Sequence, residues 1–181
     1  MPAYLVVALL FLPAFAGFGA IGQTVIGTVE KVSTDQLQVK GPNGPVTLHL
    51  DEKARVRKGK VFHDLSALVV GDEVRVNYYG EEKLTAVNVS AKVELSGVIT
   101  EAGPIRIVVL PASTPDAKAP DRKTVFVFLD RTTKFGTSRS QLAVGRRIQV
   151  VGWDAGDGVV DAERVAIYDT DLPTRRMMPK Q

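Results

Sequence analysis

The chain has no cysteine among its 181 residues and only two histidines. The first absence excludes disulfides and zinc sites of the Cys/His type. Stability must therefore come from packing alone, even in an oxidising compartment. Aromatic residues make up 7% of the chain, with a single tryptophan, and the net charge is only +3. So small a surplus gives no broad single-sign field, which makes nucleic acid the least favoured partner. Charge is also absent from the front: all 23 basic and 20 acidic residues lie from Glu30 onward. No nucleophile motif such as Gly-x-Ser-x-Gly occurs, and no apolar stripe of helical period runs beyond about two turns.

What the front holds instead is an apolar run. Residues 2–22 carry no ionisable side chain except Tyr4. The stretch 4–12 has the length of a signal-peptide core. Pro13 interrupts a helix by removing an amide donor and clashing with the preceding turn. Ala14-Phe15-Ala16 then offers a small-residue cleavage pattern. Residues 1–22 are accordingly expected to be a signal peptide or a membrane anchor, although no Lys or Arg precedes the core. Either role exports the remainder to the periplasm or cell envelope, with membrane contact through 1–22.

From Thr24 onward the apolar period is two. Val74, Val76 and Tyr78 alternate with Glu73, Arg75 and Asn77, and Ile148 and Val150 alternate with Arg147 and Gln149. Half-buried strands show this alternation, and β-branched residues suit the pleat. The strands repeat. Segments 26–29, 36–40, 46–51, 68–76 and 84–91 line up with 96–99, 105–109, 125–130, 142–150 and 160–167. Val46-Thr47-Leu48-His49-Leu50-Asp51 matches Val125-Phe126-Val127-Phe128-Leu129-Asp130, and Leu68-Val69-Val70-Gly71 matches Leu142-Ala143-Val144-Gly145. The copies differ mainly in loops, at 52–64 in the first and 110–123 in the second. Loops absorb such insertions at little cost.

Five short strands with a non-strand link between the third and fourth describe a small OB-like barrel. The expected fold class is all-β: two tandem five-stranded OB-like small barrels, at 23–92 and 93–168, with a polar tail at 169–181. Asp64 is expected to cap one helical turn at 64–68 that plugs a barrel end, and 140–142 to do the same in the second copy. Gly71 and Gly145, just before a strand, mark backbone angles that other residues hold poorly. The hairpin carboxylates Asp154 and Asp157 are expected to be solvated.

Gly-Thr-Val-x-x-Val at 27–32, Leu-x-Val at 37–39 and Leu-x-x-Leu-x-Val-Gly-Asp-x-Val-x-Val at 65–76 resemble a bacterial family of exported OB-like barrel domains, often tandem behind a signal peptide and of unknown function. The resemblance implies a fold and a compartment, and no activity. The outline is also similar to periplasmic copper-binding metallochaperone barrels, which use His and Met beside a Trp. Here the barrel region holds His49, His63 and Trp153 but no Met, so that ligand set does not carry over.

The candidate binding feature is the basic run Lys53, Arg55, Arg57, Lys58 and Lys60, followed by Phe62. Read as a loop on a rigid barrel, it suits an anionic partner: a lipid headgroup, an acidic polysaccharide or an envelope protein. A nucleic-acid role would use the same run, with Tyr78 and Tyr79 for stacking. The weak metal candidates are His49, Asp51 and His63, because His49 and Asp51 lie two residues apart on one strand. The expectation is a non-catalytic binding or scaffold module without a cofactor.

Overall fold

The computed structural model describes residues 22–112 and 123–168. The apolar segment before Gly22, residues 113–122 and those from 169 lie outside the described residues. The described chain is all-β, as its period-two pattern predicts. Its strands are β1 (Gln23–Val32), β2 (Gln36–Gly41), β3 (Gly44–Lys58), β4 (Lys60–Phe62), β5 (Glu73–Tyr79) and β6 (Thr85–Ala102), then β7 (Arg106–Pro111), β8 (Val125–Phe128), β9 (Lys134–Phe135), β10 (Arg147–Gly156) and β11 (Val159–Tyr168). A single 3-10 turn, Arg139–Gln141, is the only helical segment among the described residues.

Backbone pairing closes two rings. In the first, β1 pairs with β2, β2 with β3, β3 with β6 in parallel, β6 with β5, and β5 with β1. In the second, β6 pairs with β7, β7 with β8, β8 with β11 in parallel, β11 with β10, and β10 with β6. Each ring therefore has the same order, with its third and fifth strands parallel. Closure leaves no long unpaired edge on which another strand could add.

The repeat is reproduced down to single hydrogen bonds. The first strand of each ring shifts register at a bulge, between Val29 and Lys31 in one and between Ile99 and Glu101 in the other. A glycine with positive φ closes each bulge from across the ring: Gly71 (φ 97°) donates to the Val29 carbonyl at 2.9 Å, and Gly145 (φ 86°) donates to that of Ile99 at 2.8 Å. Gly27 and Gly97 serve a different need. A Cβ on Gly27 would run into the Lys40 carbonyl, and one on Gly97 into that of Leu110.

Each ring has its own core. Val29, Leu37, Val39, Leu48, Val56, Val74, Val76 and Val89 fill the first, joined by Leu65 and Leu68 from the link. Ile99, Ile107, Val109, Val127, Ile148, Val150 and Val165 fill the second.

Three expectations change. The last strand of the first copy and the first strand of the second are one strand, β6, so a boundary at 92/93 falls inside continuous backbone. An extended chain can serve two sheets because its two halves offer separate hydrogen-bonding positions. The basic run is also not a loop. Residues 53–58 lie on β3, Gly59 turns, and 60–62 form β4. Ala54 and Val56 are fully buried between the outward cations, so the run obeys strand alternation that its charge density had masked. Residues 64–68 form a turn rather than a helical turn, with Asp64 Oδ1 accepting the Ser66 amide at 3.0 Å. In the second copy the 3-10 turn is capped by Ser138, two residues earlier than expected.

Candidate binding surfaces

Strand β3 splits the basic run into three groups. Lys53, Arg55 and Lys60 are exposed. Lys58 is tied down by its ion pair with Asp72 (2.7 Å), whose carboxylate also accepts the Val69 amide at 2.9 Å. The stem of Arg57 packs against the second ring, since a Cβ on Gly156 would sit 3.8 and 3.9 Å from its Cγ and Cδ. Its Nε is buried without a hydrogen-bond partner. Phe62 is half-buried against the first core. Only part of the predicted basic site thus faces solvent, and the rest is structural.

The metal candidates are dispersed in their bonding. Asp51 sits where β3 bulges between Leu50 and Arg55. Its Oδ1 accepts the Lys53 amide at 2.8 Å and its Oδ2 accepts the Tyr79 hydroxyl at 2.9 Å. The bond from the Lys53 amide, then that from the Tyr79 hydroxyl, hold its carboxyl below the ordinary range, and Asp51 in turn pushes the Tyr79 phenol up. His49 lies opposite Gln36 on β2. His63 is exposed, with Nδ1 3.2 Å from the Ala54 carbonyl. No group of three or more metal-ligating side chains converges among the described residues.

Asp154 overturns the expectation of a solvated hairpin charge. It is buried, accepting the amide of Gly59 from the first ring on Oδ2 and that of Gly156 on Oδ1 at 2.7 Å. Beside it, Trp153 is buried beneath two cations of the first copy. The Arg75 guanidinium lies 5.5 Å from the ring centroid and the Lys92 ammonium 5.7 Å. Arg75 also reaches Asp161 on β11 at 3.2 Å, and Lys92 reaches Glu73 at 2.7 Å. The two rings are thus joined by a shared strand, a buried carboxylate and a cation–π cluster. The signal for this junction was a lone tryptophan in Gly152-Trp153-Asp154, and spacing alone does not say what covers it.

A second surface escaped the sequence reading. On β8, Val127 is buried while Phe126 and Phe128 point outward, 37% and 42% exposed. Arg106 on β7 faces Phe128 in register, and its guanidinium lies 5.3 Å from the Phe126 ring. The run Val-Phe-Val-Phe reads as a strand buried on both faces, which hid the outward phenylalanines.

Two closed rings of one strand order, sharing a strand, define an all-β protein with an internal structural repeat. Residues 96–166, within the second ring, match the family described as Domain of unknown function (DUF5666). The motifs at 27–76 that suggested such a family lie in the first ring, outside the matched residues. No curated protein is significantly similar to the chain.

Proposed function

We propose that this protein is a non-catalytic binding or scaffold module of the bacterial cell envelope, exported through residues 1–22 and built as two OB-like small barrels. Its partners are envelope proteins, polysaccharide or lipid headgroups. The observation that carries the reading is the repeated ring. A frame whose strand edges are paired with each other leaves its outer faces and turns for recognition. On the first ring the exposed cations Lys53 and Arg55 share one face of β3, and with Lys60 just past the turn they offer the surface for an anionic partner.

Fractionation of cells expressing the full chain, with the mass of the recovered protein, tests the compartment. The expected result is recovery in the periplasm or envelope, either as a mature chain beginning near Gly17 or as a membrane-held intact chain. Recovery of an intact soluble chain from the cytosol contradicts it. Replacing Lys53, Arg55 and Lys60 by Ala is expected to weaken binding to vesicles rich in anionic lipid at least fivefold, with an unchanged melting temperature. Arg57 and Lys58 are left intact because both have structural contacts. Unchanged vesicle binding removes this face from the proposal.

A further inference from the structure

The duplication supplies an internal control for which surface residues the frame requires. Gln36, Gln38, Thr47 and His49 in the first ring correspond to Arg106, Val108, Phe126 and Phe128 in the second, because each pair holds the same register across strands two and three. Both rings bear a depression beside this face. The one on the first ring, about 540 Å³, is lined by polar residues such as Ser33, Gln36, Gln38 and Thr47. The one on the second, about 400 Å³, is lined by Glu101, Pro104, Ile105, Arg106 and Phe128 among others. The first ring closes with threonine and histidine where the second has two phenylalanines. Ring closure therefore does not call for these aromatics. Contiguous apolar side chains exposed in this way mark contact sites.

We infer that the outer face of β7 and β8, with Phe126, Phe128, Ile105 and Arg106, binds a linear, uncharged oligosaccharide. This deepens the envelope reading above and rests on it for the source of the ligand. Three observations select this chemistry. Phe126 and Phe128 are two residues apart on one strand face, about 7 Å along the chain, so a single extended ligand can lie along both, meeting the Arg106 guanidinium that stands over the Phe126 ring. A pyranose offers an apolar C–H face to such rings and a rim of hydroxyls that both donate and accept. The donor and acceptor for that rim are side by side, since the Arg106 guanidinium lies 3.8 Å from the Glu101 carboxylate and both are exposed. Among the residues lining the depression Arg106 is the one cation and Glu101 pairs with it, which leaves no run of cations there to follow a phosphate backbone, so a nucleic-acid strand fits less well. A peptide added as an extra strand is blocked, because β8 is paired on both sides.

The test is retention of the purified full chain on an immobilised panel of linear oligosaccharides of four to eight residues. The panel covers glucans, N-acetylglucosamine chains and peptidoglycan-type disaccharide repeats. At least one neutral chain is expected to retain the protein, with affinity changing less than twofold between about 0.1 and 0.5 M salt. Phe126→Thr with Phe128→His, the residues that the first ring carries, is expected to weaken binding at least tenfold without moving the melting temperature. Phe128→Tyr keeps the ring and should stay within about twofold of the parent. Arg106→Gln should cost several-fold and carries the test if the double variant is unstable. Failure of every chain to retain the protein overturns the inference, as does undiminished binding by the double variant. Retention that salt or a single-stranded oligonucleotide abolishes also overturns it and reassigns the face to a polyanion. A cytosolic location would sink the envelope reading while leaving this binding measurable. An envelope protein that no sugar retains would sink the inference alone.

Discussion

Gly71 and Gly145 occupy one position of the repeat and make the same bond, each closing a bulge in the first strand of its ring. His49 and Phe128 also occupy one position and share nothing but their place on the third strand. The contrast separates two kinds of constraint in a duplicated protein. Positions that the ring geometry dictates keep their residue or its class: Gly27 with Gly97, Val29 with Ile99, Leu37 with Ile107, Leu48 with Val127. Positions on the outer face of strands two and three have diverged in chemistry, from amide, hydroxyl and imidazole to guanidinium and phenyl. The frame is the shared inheritance, and the faces are where the two copies differ.

The strongest way to break this comparison is to attack the frame. Gly27→Val and Gly97→Val each drive a side chain into a neighbouring carbonyl, and each should destabilise by about 4 kcal/mol or more. Gly97 lies on the shared strand, so its variant should lose both rings together in urea or thermal unfolding. A change of under 1 kcal/mol in either variant would show that the close approach is not required.

Next in size is the junction. Asp154→Ala leaves the amides of Gly59 and Gly156 without their buried acceptor and should cost about 1–3 kcal/mol. Unfolding monitored at Trp153 and at a probe in the first ring should then separate, because one of the contacts joining the two rings is removed. Coincident transitions at unchanged stability would contradict this. The aromatic face sharpens the comparison from the other side. Phe126→Thr with Phe128→His should alter stability by no more than about 0.5 kcal/mol, as exposed substitutions far from caps and cores usually do. A larger loss would make these rings part of the frame.

The smallest effect concerns acid. Asp51 and Asp130 are equivalent: each accepts the amide two residues on, Asp51 at the bulge within β3 and Asp130 in the turn after β8. The Thr132 hydroxyl, then its amide at 2.7 Å, hold the Asp130 carboxyl low, as the Lys53 amide does for Asp51. A carboxylate with a depressed folded pKa contributes stability that is present above the unfolded value, about 3.9. That contribution is lost as pH falls through the lower folded value. Melting temperature should therefore fall below about pH 4, and Asp51→Asn and Asp130→Asn should each flatten that acid limb by a small, similar amount. An unchanged limb in both would remove these carboxylates from the comparison.

The strands and their duplication were legible because alternation and spacing are local properties of the chain. Asp157-Gly158 marked a hairpin, and both residues have positive φ, 53° and 77°. The fused strand β6 was not legible. A strand that changes sheet halfway keeps its period of two, so Lys92 and Val93 look like a linker between two strands. The basic run misled for a related reason: Ala54 and Val56 carry the strand signal, and five cations within eight residues outweighed it. Asp154 and Phe128 were missed because burial of a hairpin carboxylate and exposure of a strand phenylalanine both run against the usual partition of polar and apolar side chains. Each is decided by contacts with residues distant in the chain.

The central claim is that the two rings are fused through one continuous strand. Amide hydrogen exchange along β6, followed residue by residue by NMR, tests it most directly. Slow exchange is expected for the paired amides on both sides of the junction, with no unprotected gap between Ala91, which pairs with Val74, and Val93, which pairs with Gly152. Rapid exchange through residues 91–95, with protection on either side, would show two separate strands joined by a linker and would contradict the fused pair of rings.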